Sequence, residues 1–186
     1  NVDQSAYMKK VTEPGIDFCQ AIELLDKYQY ALVKIDSDYI PEDFPRSIPL
    51  GKDIDVICCP EDMESVKRDL RFFAVKQNDY TIKERNYPDR LMIRFEVSGR
   101  TIFIIDCACS YESIPGEFLK YALTRRVKSE KGYYCFDPAC EAVIRKVAYD
   151  ANPSKRYHLN YYETHKDEKV QRLYEEMIEK QKASGL

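Results

Sequence analysis

No apolar run in this chain approaches the roughly 18–20 residues that a membrane-spanning helix needs. The longest, around Thr101–Ala108 and Ile54–Cys59, are the size of strands. Histidine is scarce, with only His158 and His165 present, so a site built from several imidazole ligands is not available. None of the seven cysteines forms a CxxC pair, which argues against a zinc knuckle or a thioredoxin-type redox pair. Charge of one sign is missing too. The 29 basic and 32 acidic residues leave a formal net charge of -3, and nothing calls for nucleic acid or an anionic membrane as partner. The sequence contains neither an internal repeat nor a low-complexity tract.

What is there suits one domain with a small helical appendage: 186 residues, 44% hydrophobic and 33% charged. Cys58, Cys59 and Cys107 lie in or beside apolar runs, where a free thiol behaves as a small hydrophobe. With an odd number of cysteines, the expectation is reduced thiols in a reducing compartment, the cytoplasm. The chain starts at Asn1 rather than methionine and shows no signal peptide, so it reads as a piece of a longer chain or complex.

Residues 1–12 are polar and are expected to form a flexible segment. Ile16, Cys19, Ile22 and Leu25 recur at helical spacing and predict a helix over Pro14–Tyr28. A short strand follows at Tyr30–Ile35, then a long loop, Asp36–Lys52, with three prolines and Gly51. Loops of this length are usually functional or mobile. Asp53–Cys58 reads as a second strand, and Pro60 opens a helix to about Lys76 with Met63, Val66, Leu70 and Phe73 as its apolar stripe. Three strands follow: Tyr80–Glu84, Leu91–Val97 and Thr101–Cys107. The second of these alternates, and Ser98-Gly99-Arg100 makes a hairpin turn after it. Helices are expected at Pro115–Leu123, from Asp137 (N-cap) and Pro138 to Tyr149, and over Asp167–Lys182, with a small strand at Gly132–Phe136. The fold class is therefore α/β in the broad sense (α+β): a mixed sheet flanked by helices, with a helical C-terminal third. The expected division is a core over 13–112 and a mostly helical part over 113–186 packed on it.

The strongest chemical signal is Gly51-Lys52-Asp53-Ile54-Asp55. Side chains two apart on a strand share a face, and two carboxylates held side by side repel unless a cation or protons neutralise them. Hard oxygen donors of this kind suit Mg²⁺ or Mn²⁺. A third carboxylate, Asp106, ends the apolar run Ile102–Ile105, where a residue of mere core would be apolar. If strand 101–107 neighbours strand 53–58, the three acids form a platform for a divalent ion that assists attack on phosphorus. The plainer reading is a solvated strand start at Asp53 and Asp55, and a cap at Asp106.

The segment Leu32-Val33-Lys34, the proline-containing loop and GKDIDVICCPED before a helix resembles the nucleotidyltransferase superfamily of the DNA polymerase beta type. Within it, the likeness is greatest to small domains associated with surface-polysaccharide biosynthesis. KGYYCFDPACEAVIRKVAYD is similar to the aromatic strand and helix that follow the sheet in such domains. The resemblance implies a sheet of the nucleotidyltransferase type, with Asp53, Asp55 and Asp106 as metal ligands and catalytic acids. It implies that Ser37 contacts the nucleotide; Lys34, Arg46 and Lys52 flank the expected site, where Lys34 and Lys52 are expected to bind the nucleotide by screening phosphate charge and Arg46 reads first as an exposed cation. The family's Gly-Ser turn is here Asp36-Ser37. Ser37 keeps the hydroxyl, while Asp36 adds a negative charge near the expected phosphates.

The expected activity is Mg²⁺-dependent transfer of a nucleoside monophosphate from a nucleoside triphosphate to a hydroxyl or phosphate of a small or saccharide-linked acceptor. A second reading is a catalytically inactive binding module of a larger biosynthetic protein. A third is a glycosyltransferase that uses its DxD to hold a metal. Lys120, Arg125, Arg126, Lys128 and Lys131 form a basic stretch that reads first as a solvated helix end. His158 and His165, among Tyr157, Tyr161 and Tyr162, read as a polar cluster between helices rather than as a catalytic base.

Overall fold

The structure, a computed structural model, describes residues 15–183; the segment expected to be flexible, 1–12, lies outside them. Seven strands form one mixed sheet in the order β3-β4-β5-β2-β1-β7-β6. They are β1 (Ala31–Val33), β2 (Asp53–Ile57), β3 (Thr81–Tyr87), β4 (Arg90–Val97), β5 (Arg100–Ala108), β6 (Val127–Lys128) and β7 (Tyr134–Cys135). The described residues also form six α-helices: α1 (Cys19–Leu25), α2 (Met63–Val75), α3 (Gly116–Thr124), α4 (Pro138–Ala151), α5 (Arg156–His165) and α6 (Glu168–Ala183). The α+β class with a mixed sheet and helices is thus as expected from the sequence. No helix among the described residues is long and apolar enough to cross a membrane.

The described residues divide into two compact units, 15–109 with 128–135, and 110–127 with 136–183. In the first unit, β5 lies between antiparallel β4 and parallel β2, which explains why Ile102, Phe103 and Ile105 are all buried. The α2 stripe expected from the sequence, Met63, Val66, Leu70 and Phe73, is buried. A cluster of rings binds this unit together: Phe95 stacks on Phe103 at 5.7 Å, and Phe18 meets Phe103 edge-on at 5.8 Å. Each such fully buried ring contributes about 1.5–3 kcal/mol of transfer free energy. The 36–52 loop is tied into this core. Phe44 and Ile48 are buried, the Phe18 amide donates to the Pro45 carbonyl at 3.0 Å, and the Gly51 amide donates to Ile102 at 2.7 Å.

Several expectations need correction. The helix expected over Pro14–Tyr28 is α1, seven residues long, in its described part. Tyr80–Glu84 runs on to Tyr87. A β-bulge between Phe95 and Glu96 breaks the simple alternation of β4. Glu96 is therefore buried, and its carboxylate is met by Lys83 at 3.3 Å and Arg94 at 3.8 Å. The helix α5 and the two-residue strand β6 were not expected as elements. None of the seven cysteines is in a disulfide.

In the second unit, Asp137 caps α4 by accepting a hydrogen bond from the Ala139 amide at 3.0 Å. Glu141 and Arg145 on α4 and His158 on α5 are buried together. Arg145 Nε donates to His158 Nδ1 at 2.7 Å and Nη1 donates to Glu141 at 3.2 Å. An arginine has only donors, so His158 Nδ1 accepts and this imidazole is neutral. The buried positive charge is balanced by Glu141 one turn away, and its guanidinium also lies 4.6 Å from the Tyr161 ring centre.

Candidate metal centre

Two strands place the three acids. The parallel register pairs Asp53 with Ile104 and Asp55 with Asp106. Asp55 and Asp106 therefore stand side by side, and Asp53 is on the same face two residues back. One carboxylate oxygen from each of Asp53, Asp55 and Asp106 lies within 4.8 Å of the others. The strand pairing is reinforced just before the site, where the Ile104 amide donates to the Lys52 carbonyl at 3.0 Å.

The environment is short of positive charge. Burial pushes the Asp55 carboxyl up to about 7. Lys34 pulls it down, while Asp53 and Asp106 push it up further. The Lys34 ammonium is 2.8 Å from Asp55, so even a close cation does not offset desolvation and two like charges. A set of hard oxygen donors with unbalanced negative charge fits Mg²⁺ or Mn²⁺. Asp53, Asp55 and Asp106 are the residues that would hold it.

Lys34 reaches Asp55 from the end of β1, where its backbone takes a φ of 60°. The turn that follows is closed by Ser37, whose hydroxyl donates to the Lys34 carbonyl at 2.8 Å and whose amide donates to the same oxygen at 3.2 Å. Ser37 thus shapes the turn that aims Lys34. The Lys52 ammonium lies 5.8 Å from the centre of the Tyr39 ring.

Two residues at the site were missed by sequence reasoning. Arg90, at the start of β4, donates to Asp106 through a fork, Nε to Oδ1 at 2.8 Å and Nη2 to Oδ2 at 2.6 Å. This bond holds the Arg90 guanidinium above its ordinary pKa. Tyr39 is the second. Partial burial raises its phenol, and the nearby charges of Lys34, Asp53 and Asp55 act on it. A tyrosine in a loop rich in Asp and Pro gave no signal. For Arg90 the only available signal was its diagonal place, two residues from Met92, the register partner of Asp106, once the strands were paired.

The β3–β4 turn that carries Arg90 is fixed from below. Lys67 of α2 is fully buried; its ammonium donates to Asn86 Oδ1 at 2.8 Å and to the Tyr87 carbonyl at 2.5 Å. The Asp89 carbonyl accepts from the Cys109 amide at 3.1 Å.

No family model matches the chain, and no curated protein matches it in sequence. Among solved structures, it is similar to the Megavirus polyadenylate synthase at 13% identity and a TM-score of 0.37, over 98% of this chain and 36% of that one. The chain thus spans 36% of the length of that protein.

Proposed function

We propose that this chain is a divalent-metal-dependent nucleotidyltransferase. It would transfer a nucleoside monophosphate from a nucleoside triphosphate to a hydroxyl or phosphate oxygen of a small or saccharide-linked acceptor. In that reaction the acceptor oxygen bonds to the α-phosphorus, the bond to the bridging oxygen breaks, and pyrophosphate leaves. The reading is supported above all by the lateral pairing of Asp55 with Asp106, with Asp53 beside them. A divalent ion bound by these carboxylates would neutralise charge on the phosphates during transfer. Asp53 and Asp55 would orient the nucleotide, and Asp106 would accept the proton of the acceptor. Lys34 holds Asp55 in place, and Tyr39 borders the same space.

A pyrophosphate-release assay with Mg²⁺ or Mn²⁺, each of the four nucleoside triphosphates and a panel of sugar and sugar-phosphate acceptors tests this. Release by the wild type and its loss in Asp106→Asn, with an unchanged circular dichroism spectrum, support it. Full turnover by Asp106→Asn removes that residue from the mechanism.

One observation favours the second reading, a binding module without turnover: Arg90 already engages both oxygens of Asp106. Calorimetric binding of a nucleoside triphosphate with Mg²⁺ but no pyrophosphate from any acceptor would favour it.

A further inference from the structure

We propose that Arg90 exchanges partners: it holds Asp106 in the metal-free protein and passes its guanidinium fork to the phosphate oxygens of the substrate when Asp106 takes up a divalent ion. This rests on the metal-dependent reading above and assigns Arg90 as a substrate-binding residue of that site.

The fork occupies both oxygens of Asp106, at 2.8 and 2.6 Å. A cation that uses Asp106 together with Asp53 and Asp55 must share or displace it. Arg90 has somewhere to go, because its side chain is 44% exposed, whereas that of Lys34 is 15% exposed and stays at Asp55. The swing is confined to the side chain. Its backbone is held by the β4–β5 pairing of Arg90 with Ala108, by Lys67 under the Asn86–Tyr87 segment and by the Cys109 amide at Asp89.

The displaced group also matches the ligand that follows. A guanidinium fork binds phosphate with the same paired geometry that it offers a carboxylate. Charge points the same way. Three carboxylates against Lys34 and Arg90 leave one formal negative charge. A divalent ion converts it to one positive charge, which favours an anion. Metal loading would therefore free the residue that recognises the phosphates and make the site attractive to them.

The test is calorimetric titration of the full chain, as wild type, Arg90→Gln and Arg90→Lys, with Mn²⁺ alone and with manganese tripolyphosphate. Loss of the cation should tighten Mn²⁺ about tenfold in Arg90→Gln and weaken tripolyphosphate about tenfold. Arg90→Lys, which keeps the charge and loses the fork, should fall between on both. Opposite movement of the two affinities supports the exchange, since a merely structural role would weaken both together. If both weaken together or neither changes, the exchange is overturned and the metal reading stands. If wild type and Arg90→Gln alike fail to take up millimolar Mn²⁺, the metal reading falls and this inference with it. Should Arg90→Gln not fold, as judged by circular dichroism, Arg90→Lys carries the same comparison.

Discussion

Asp55 and Asp106 are direct register partners on two parallel strands, so their carboxylates are set side by side by the backbone ladder itself rather than by loop conformation. Repulsion between them is built into the sheet. Lys34, Arg90, a proton or a bound cation can relieve it.

Asp53 adds the third negative charge, while Lys34 and Arg90 answer Asp55 and Asp106. Asp53→Asn should therefore raise the melting temperature of the metal-free protein by a few degrees, equivalent to about 0.5–1 kcal/mol. The same variant should bind Mn²⁺ at least about tenfold more weakly. Differential scanning calorimetry and Mn²⁺ titration check the two halves. A lower melting temperature without metal would show that Asp53 has a structural partner that outweighs the repulsion.

Lys67 is a buried cation whose partners are the Asn86 amide oxygen and backbone carbonyls of the β3–β4 turn, with the Glu64 carboxylate at 3.4 Å. Lys67→Met removes the donor that ties α2 to this turn, at a cost of about 1–3 kcal/mol. Urea unfolding measures this. A loss below about 1 kcal/mol would mean that the turn is held by the strand pairing alone.

The Lys27–Asp69–Tyr28 group predicts acid sensitivity away from the site. Burial alone would raise the Asp69 carboxyl, but the Tyr28 hydroxyl at 2.5 Å and Lys27 at 2.9 Å outweigh it and leave its pKa below the ordinary value of 3.8. A depressed carboxyl pKa stabilises the fold above the unfolded value, and that contribution disappears as pH falls through the folded value. Asp69→Asn should therefore be less stable than wild type at pH 6–8, and the gap should close in acid below about pH 4. Chemical unfolding of both proteins across pH provides the comparison. A gap that persists unchanged in acid would assign the loss to packing.

The β4–β5 hairpin closes through two residues, with Val97 paired to Arg100 and both Ser98 and Gly99 at positive φ, 52° and 77°. That is the twist a two-residue turn needs between right-twisted strands. Ser98→Asn should stabilise by a few tenths of a kcal/mol. Gly99→Ala should cost about 1–2 kcal/mol from backbone strain alone, because nothing lies within 4 Å of the added Cβ. Thermal melts of the two variants should move in opposite directions. A neutral Gly99→Ala would contradict the left-handed conformation.

Much of this architecture could be read from residues. β-Branched runs marked β2 and β5, the helical stripe marked α2, and an acid at the end of an apolar run marked Asp106. The parts that escaped notice share a cause. Arg90 meets Asp106 only because β4 and β5 are antiparallel neighbours, a relation that local spacing does not encode. The bulge at Phe95 and Glu96 leaves no mark in an alternating string. The helix α5 consists of RYHLNYYETH, whose Tyr, His, Asn and Thr are weak helix formers. It is held instead by the Arg145–His158 bond and the stacking of Arg145 on Tyr161. Lys34 could be linked to the acids from sequence, but its left-handed backbone and the Ser37 turn that imposes it could not.

The chain returns to the sheet after its excursion through α3. β7 lies parallel to β1 with Leu32 opposite Cys135, and the Tyr134 amide donates to the Tyr30 hydroxyl at 3.1 Å. A protein shortened after residue 109 would keep every acid of the triad yet bare the flank of β1, the strand that delivers Lys34. Such a truncation should self-associate along that open edge, so the minimal folded piece of this protein cannot be cut as one uninterrupted stretch ending at the last carboxylate.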